Sequence, residues 1–301
     1  MVSVIIPALN AAKTLPQQLE ALAQQHNPPP FEVIVCDNGS SDATISIARR
    51  FRLHIPQLQV VDAGARRGAS HARNVGIAHA TGRVVAFCDA DDVVAADWVS
   101  IMAATVGPGH MVTGWLEFGL LNRGRATSPE KDLVVVSGHL PGIASGNVAL
   151  TAADARRIGG FDESFRYAVE DIDFAWRAQH AGMTVSREAA VVHCRTRSTL
   201  RALFHQHRTW GRGNIMLRVR HAEHLGRVMS FRYSTKALAR TTVSIIRHWR
   251  GAAMEQRREL VRGFALSLGE FEGHVMFRLL RRMPEPVLLD SPVISRGDHV
   301  A

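Results

Sequence analysis

Short apolar runs alternate with helical patterns through the first third of the chain, and this alternation restricts the fold more than any other feature. The runs are rich in β-branched residues and lie at 2–6, 31–36, 59–62 and 83–88. Helical spacing of apolar residues predicts helices that begin at Leu15 and that cover 44–51 and 69–80. Strands that alternate with helices pair in parallel, with helices on both faces of the sheet. We therefore predict an α/β fold with a mostly parallel, doubly wound sheet.

Acidic residues directly follow two of these predicted strands. Asp37 comes after the run at 31–36, and Asp89, Asp91 and Asp92 come after the run at 83–88. In parallel α/β sheets, ligands bind beyond the carboxyl ends of the strands. Carboxylate oxygens are ligands that Mg²⁺ and Mn²⁺ prefer, and such a cation neutralises a diphosphate. The pattern predicts a ligand site at this edge, although Asp is also common in turns and at helix N-termini.

The rest of the chain is less regular in its middle and helical at its end. Residues 98–136 show no clear period, 143–150 reads as a strand or turn, and 152–158 and 170–181 read as helices. Long helical patterns follow at 200–220, 235–249 and 255–283. We divide the chain into an α/β domain at 1–195 that would hold the ligand site, a basic helical region at 196–283 and a flexible tail at 284–301.

Positive charge is concentrated in the last third of the chain. Residues 195–285 contain 19 Lys and Arg against 6 Asp and Glu, whereas residues 1–194 contain 16 against 19. Such a surface binds an anionic membrane, a phosphorylated acceptor or nucleic acid, or it is simply a solvated, Arg-rich helical face. The composition leaves these alternatives open.

The remaining composition suggests a cytoplasmic protein. Cys36, Cys88 and Cys194 lie far apart, so neither a disulfide framework nor a zinc site is expected. No apolar run reaches the roughly 20 residues of a membrane span, and Met1 leads straight into a strand instead of a basic leader. We expect a cytoplasmic location, peripheral at the inner face of the membrane if the basic helices contact lipid.

Six motifs occur in a fixed order. They are PALN at 7–10, DNGSSDAT at 37–44, GASHARNVGIAHATG at 68–82, FCDADD at 87–92, GGFDE at 159–163 and EDIDFAWR at 170–177. Over residues 2 to about 195 the chain resembles the family 2 glycosyltransferases. The resemblance implies a GT-A fold, which is Rossmann-like, followed here by a C-terminal helical extension. It also implies transfer of a sugar from a nucleotide-sugar donor to an acceptor hydroxyl, with inversion, by direct displacement assisted by Mn²⁺ or Mg²⁺.

The same resemblance implies a nucleotide pocket at the first strand ends. Pro7, Ala8 and Asn10 would line it, and Asp37 would accept a hydrogen bond from the base. Asp37 would otherwise be a turn or N-cap residue that binds nearby backbone amides. Arg73 would face the nucleotide or its phosphates, or would only pair with the acidic loops.

Catalytic and metal-binding roles also follow from the resemblance. Asp91, together with Asp89 and His193, would hold the cation on the donor diphosphate, although a lone His is often structural. Of the pair Glu170 and Asp171, Asp171 would be the general base that takes the acceptor proton. A carboxylate at a helix N-terminus also binds unpaired amides, so capping is the alternative role for one of the two.

We expect a UDP-sugar as donor, with GDP- and dTDP-sugars as alternatives, and a glycan, a lipid-linked molecule or a small molecule as acceptor. A sugar nucleotidyltransferase is a second hypothesis, but it would need a Gly-rich, basic loop where this chain has PALNAAKT. A nucleic-acid-binding protein is a third hypothesis. It is disfavoured because the basic region lacks the interleaved aromatic and glycine residues of common RNA-binding modules and because it leaves the acidic strand ends unexplained.

Overall fold

The computed structural model of the protein describes residues 1–122, 133–166, 168–226 and 229–289. The strands are β1 (Val2–Ala8), β2 (Phe31–Asp37), β3 (Leu58–Asp62), β4 (Val84–Cys88), β5 (Val93–Val94), β6 (His110–Glu117), β7 (Val135–Val136), β8 (Leu140–Pro141), β9 (Asn147–Thr151) and β10 (Thr184–His193). The helices are α1 (Leu15–Ala23), α2 (Thr44–Arg50), α3 (Ala69–His79), α4 (Trp98–Thr105), α5 (Ala152–Arg157), α6 (Glu170–His180), α7 (Leu200–Arg220), α8 (Ala222–Leu225), α9 (Phe231–His248) and α10 (Met254–Gly273).

Eight of these strands form one sheet, in the order β3-β2-β1-β4-β9-β6-β10-β5. The β3-β2-β1-β4 half is parallel, as is the β6-β10 pair, whereas β9 runs antiparallel between β4 and β6. The predicted α/β class and the mostly parallel sheet are therefore confirmed. Because the first four strands share one direction, the carboxyl ends of β1, β2 and β4 meet at a single edge of the sheet.

Alternation along β1 explains the two helical layers. Val4 and Ile6 pack on one face with Leu19 of α1, and Ile5 packs on the other with Ile77 of α3. Successive side chains of a strand point to opposite faces, so a run of apolar residues buries both of them. At Gly76 of α3 an added Cβ would lie 2.3 Å from Ile5 Cγ2, so glycine permits the close contact between helix and strand.

The stretch from 98 to 136 is more regular than its sequence pattern indicates, as far as the structure describes it. It forms α4, β6 and β7, and residues 123–132 of the stretch lie outside the described residues. Gly114 interrupts the apolar pattern of β6 for a packing reason. An added Cβ there would lie 2.1 Å from the carbonyl oxygen of Ala190 in β10.

The C-terminal helices pack closely on one another and on the sheet domain. An added Cβ at Gly269 of α10 would lie 2.0 Å from the carbonyl oxygen of Arg208 in α7, so the two helices touch backbone to backbone. Helix α9 begins at Phe231, four residues before the predicted start, because the Ser230 side chain accepts a hydrogen bond from the Tyr233 amide. Helix α10 continues as a π-helix, His274–Leu279, and does not remain α-helical to 283 as expected.

Beyond the π-helix the chain returns to the sheet domain. The Glu163 amide donates to Val287 O at 2.8 Å, and the Leu289 amide donates to Gly159 O at 2.7 Å. These contacts involve residues 284–289 of the expected tail, and its remainder lies outside the described residues. No helix in the described part of the chain is both long and apolar enough to cross a membrane.

Candidate active site

Asp37 is the last residue of β2, and only one of its carboxylate oxygens accepts hydrogen bonds from the described residues. Asp37 Oδ2 accepts hydrogen bonds from the amides of Gly39 at 3.2 Å and Ser40 at 3.1 Å. Asp37 Oδ1 is buried and has no hydrogen-bond partner among the described residues. The carboxylate therefore closes the turn, as the alternative role requires, and still presents one unpaired acceptor. A buried oxygen of this kind fits an N–H donor from a ligand.

The end of β1 and the residues after it lie beside the end of β2. Ala8 is the register partner of Asp37, with Pro7 one position before it in the same strand. Asn10 has a left-handed backbone, with φ of 50°, and its Oδ1 accepts a hydrogen bond from the Ser41 amide at 2.8 Å. The structure thus brings the three residues expected to line the nucleotide pocket together with the expected base acceptor.

The loop after β4 contains a cluster of three carboxylates. Asp89, Asp91 and Asp92 each offer an oxygen atom, and these atoms all lie within 4.8 Å of one another. Burial raises the pKa of Asp91, and burial raises the pKa of Asp92 to about 7, with the negative charge of Asp89 adding to both effects. Crowded carboxylates of this kind repel one another unless a cation or proton lies between them. The donor set fits Mg²⁺ or Mn²⁺.

Arg73 joins this cluster to the start of α6. Its Nη2 atom lies 2.8 Å from Asp89 Oδ1, and its Nη1 atom lies 3.2 Å from Glu170 Oε1. The side chain is only 3% exposed, and its guanidinium stacks on the ring of Phe161 at 5.3 Å. Arg73 therefore pairs with the acidic groups, which is the second of its two expected roles. Contact with the nucleotide stays a prediction.

Asp171 lies beside Glu170 in the first turn of α6. Two consecutive left-handed residues, Ala168 and Val169, precede it with φ values of 81° and 61°, a conformation that is strained for side chains other than Gly. Asp171 Oδ1 accepts a hydrogen bond from the Ile172 amide at 2.9 Å. Burial, with the adjacent charge of Glu170, raises the pKa of Asp171 to about 7. A carboxylate with that pKa suits a general base at neutral pH.

His193 is the last residue of β10, and its strand pairs with β5, which directly follows the acidic loop. It is the register partner of both Glu117 and Val93, and its Nδ1 atom lies 2.7 Å from Glu117 Oε2. Hydrogen bonding to His193 lowers the pKa of Glu117. Because Nδ1 faces a carboxylate, Nε2 is the ring nitrogen that could bind a metal. Many metal-binding histidines have this arrangement. Among the described residues, the cluster that can share one cation contains the three Asp but not His193.

Some site residues were missed by the sequence interpretation. The Arg195 amide donates to Asp92 Oδ1 at 2.8 Å, and Arg195 Nε donates to Asp91 O at 2.9 Å. Arg197 Nη1 lies 3.5 Å from Asp91 Oδ2, with both side chains about half exposed. The sequence signal for them is the R-T-R triplet at 195–197, which begins two residues after His193. It was counted only as part of the basic C-terminal region.

The chain matches two family models. "Glycosyl transferase family 2" matches residues 3–131, and "Glycosyl transferase family group 2" matches residues 84–255. Glycosyltransferase AglE of Haloferax volcanii is 38% identical over 128 residues, which are 42% of this chain and 42% of that protein. Validoxylamine A glucosyltransferase of Streptomyces hygroscopicus subsp. limoneus is 32% identical and matches 63% of this chain and 50% of that protein. The chain thus spans half or less of these relatives.

Solved structures share the fold at low sequence identity. A mannosyltransferase, PcManGT, from Pyrobaculum calidifontis in complex with GDP-Man and Mn²⁺ has a TM-score of 0.58 and 18% identity, covering 91% of this chain and 86% of that one. S. aureus TarS 1-349 in complex with UDP-GlcNAc has a TM-score of 0.53 and 21% identity, covering 92% of this chain and 75% of that one. The sheet, its helical layers and the helical C-terminal part define a GT-A fold. The chain belongs to the family 2 glycosyltransferases.

Proposed function

We propose that the protein transfers a sugar from a nucleotide-sugar donor to an acceptor hydroxyl, with inversion. The observation that supports this most directly is the convergence of Asp89 from the β4 end and Glu170 from the start of α6 on the guanidinium of Arg73. The convergence supports a site in which the acidic cluster and the candidate base, Asp171, share one edge of the sheet. A cation site and a base on opposite sides of a sugar are what direct displacement at the anomeric carbon requires.

The donor would lie across the ends of β1 and β2. Asp37 Oδ1, which has no partner among the described residues, would accept the ring N–H of a uracil, thymine or guanine base. Pro7, Ala8 and Asn10 would form the wall beside it. A UDP-sugar is our first choice of donor, with GDP- and dTDP-sugars as alternatives, and the UDP-GlcNAc and GDP-Man complexes of the two similar structures agree with that range.

Asp89, Asp91 and Asp92 would hold Mn²⁺ or Mg²⁺, with His193 beside them. The cation would supply Lewis-acid neutralisation of the departing diphosphate. Arg197, whose guanidinium already reaches Asp91, would add positive charge next to the diphosphate. Arg195 would hold the loop in place through its hydrogen bonds to Asp91 and Asp92.

Asp171 would act on the opposite side of the sugar. Its carboxylate would take the proton of the acceptor hydroxyl while the acceptor oxygen bonds to the anomeric carbon and the bond to the diphosphate oxygen breaks. Glu170 would stay paired with the guanidinium of Arg73, which leaves Asp171 to exchange the proton. The acceptor would be a glycan, a lipid-linked molecule or a small molecule.

A nucleotide screen with a matched variant tests the proposal. We expect UDP with Mn²⁺ to raise the melting temperature of the protein more than CDP with Mn²⁺ does, since cytosine lacks the ring N–H. We also expect a UDP-sugar to be slowly hydrolysed. Asp37→Asn should remove the UDP effect, because an amide N–H would then face the base. Asp62→Asn is the control, since Asp62 is the register partner of Asp37 on the edge strand and is exposed. If no nucleoside diphosphate stabilises the wild type, the proposal is wrong.

A further inference from the structure

Helix α9 carries an exposed basic face. Four basic residues on the helix are exposed, and a fifth follows its end: Arg232, Lys236, Arg240, Arg247 and Arg250. At 3.6 residues per turn, the four on the helix lie within about 80° of one another around its axis. No acidic residue occurs anywhere between 224 and 254 in the sequence. The face is therefore a single positive stripe.

The stripe differs from four arginines of the neighbouring helices, each of which has a glutamate partner. On α7, Arg208 and Arg212 both pair with Glu272 at 2.5 and 2.7 Å. On α10, Arg258 and Arg262 each lie 3.9 Å from Glu255. Within the described ranges, none of the five basic residues of the stripe has a carboxylate at ion-pair distance.

Exposed apolar side chains accompany the stripe. Tyr233, Val243 and Ile246 are 58%, 44% and 74% exposed. The other side of α9 packs on α10, where the rings of Phe231 and Phe271 lie 5.3 Å apart. A basic face with aliphatic side chains beside it is typical of a helix that lies in the plane of a membrane surface. Single-stranded nucleic acids are instead bound by basic residues with stacking aromatic rings, and here Tyr233 is aromatic whereas Val243 and Ile246 are aliphatic.

Helix α9 is connected to the candidate active site through α10. Arg258 Nη2 of α10 donates to the carbonyl oxygen of Arg197 at 2.9 Å, and the Arg197 side chain reaches Asp91. Helix α9 packs on the same α10. A membrane or molecule bound to α9 would therefore contact the pair of helices that holds Arg197 next to the acidic cluster.

We propose that this face of α9 binds the anionic headgroups of a lipid bilayer, with the helix parallel to the surface. Lys and Arg would contact the headgroups, and Val243 and Ile246 would enter the boundary with the acyl chains. The binding is independent of the donor and of catalysis. It would favour the lipid-linked molecule among the three acceptor classes.

Vesicle sedimentation with the full chain tests this inference, without nucleotide present. We expect binding to phosphatidylcholine vesicles that contain phosphatidylglycerol, much weaker binding to phosphatidylcholine alone, and a loss of binding as salt is raised. Each basic side chain near an anionic surface raises the binding constant about fivefold, so the triple change Lys236→Gln, Arg240→Gln and Arg247→Gln should lower it about a hundredfold. The pair Val243→Ser and Ile246→Ser should weaken binding but leave the salt dependence.

A control triple removes the same charge elsewhere, at three exposed basic residues of the sheet domain: Arg49→Gln, Arg50→Gln and Arg83→Gln. It should bind vesicles nearly as the wild type does, and circular dichroism should verify that every variant is folded. Equal losses in both triples would show a general charge effect and would overturn the proposal. So would wild-type protein that ignores anionic vesicles, or that binds only a nucleic-acid fragment under the same salt.

Discussion

The two adjacent carboxylates that begin α6 differ because their partners differ. Glu170 is paired with the guanidinium of Arg73, whereas Asp171 is bonded to the Ile172 amide of its own helix. Asp171, with its raised pKa, is left as the group that gains and loses a proton near neutral pH.

Asp171→Asn tests this division of roles. We expect the variant to bind donor as the wild type does but to lose about 10²- to 10⁴-fold in transfer rate, because an amide cannot accept the acceptor proton. Calorimetry of donor binding and a transfer assay measure the two properties separately. Unchanged transfer would refute the base assignment.

The pH dependence of transfer gives an independent check. The pKa of Asp171 is raised to about 7, so the carboxylate is protonated below that pH and cannot act as a base. We expect kcat/KM to rise with pH up to about 7 and then to level off. A profile that stays flat from about pH 5 to pH 8 would contradict this expectation.

Single residues at strand ends were predictable, but their partners were not. Asp37, Asp89 and Asp91 follow apolar runs, and a parallel sheet brings such ends together. The pairing of Arg195 with Asp92 joins residues 103 positions apart, and local sequence does not encode which loops meet. Arg73 was ambiguous for the same reason, because its role depends on where α6 begins in space.

At the scale of elements, the parallel strands were the easiest to predict. Runs such as β1 and β2 are buried on both faces, so each is a continuous apolar segment bounded by polar turns. Strand β6 was missed because Gly114, which the close approach of β10 requires, breaks its pattern. The helical segment that begins with α10 ends with the π-helix at Leu279, four residues before the predicted 283.

The contact between α7 and α10 leads to a prediction about helix packing. Gly269→Ala should destabilise the protein by about 1–3 kcal/mol, because the new Cβ would overlap the carbonyl oxygen of Arg208. Gly263→Ala on the same helix is the control, since its Cβ would lie 3.8 Å from Thr241 Cγ2. The control should be neutral or stabilising by up to about 1 kcal/mol, because Ala favours helix. Equal stability of the two variants in urea unfolding would contradict the close contact.

At the scale of the whole molecule, buried ion pairs hold the helical region to the sheet domain. Arg220 of α7 lies 2.6 Å from Asp162 and also donates to Pro284 O at 2.7 Å. His221 lies 2.9 Å from Asp173 of α6. These contacts link three segments that are far apart in the chain. Composition indicated a basic helical region, but not that its residues are joined to the helix that carries Asp171.

Stability should depend on pH through His274, which lies in the π-helix and is 1% exposed. Burial lowers the pKa of His274 to about 4, below its ordinary value of 6.5. Between those values the unfolded chain binds the proton and the folded chain does not, so this residue lowers stability as pH falls from 6.5 to about 4. The pKa values of Asp92 and Asp171 are raised from 3.8 to about 7, so these two residues increase stability as pH falls through an overlapping pH range.

The variant His274→Leu separates these effects, because it removes only the imidazole. We expect the difference in unfolding free energy between variant and wild type to shift in favour of the variant as pH falls through this range. Urea unfolding at several pH values measures it. A difference that does not change with pH would mean that His274 is not kept neutral by burial.

The central claim is that carboxylates after β4 hold a divalent cation on the diphosphate of a nucleotide-sugar donor. Calorimetry of UDP binding, with and without Mn²⁺, tests it most directly in the wild type and in Asp91→Asn. We expect Mn²⁺ to strengthen UDP binding to the wild type and to have little effect on the variant. Binding of UDP that is equally strong without Mn²⁺, or an effect of Mn²⁺ that survives in Asp91→Asn, would contradict it.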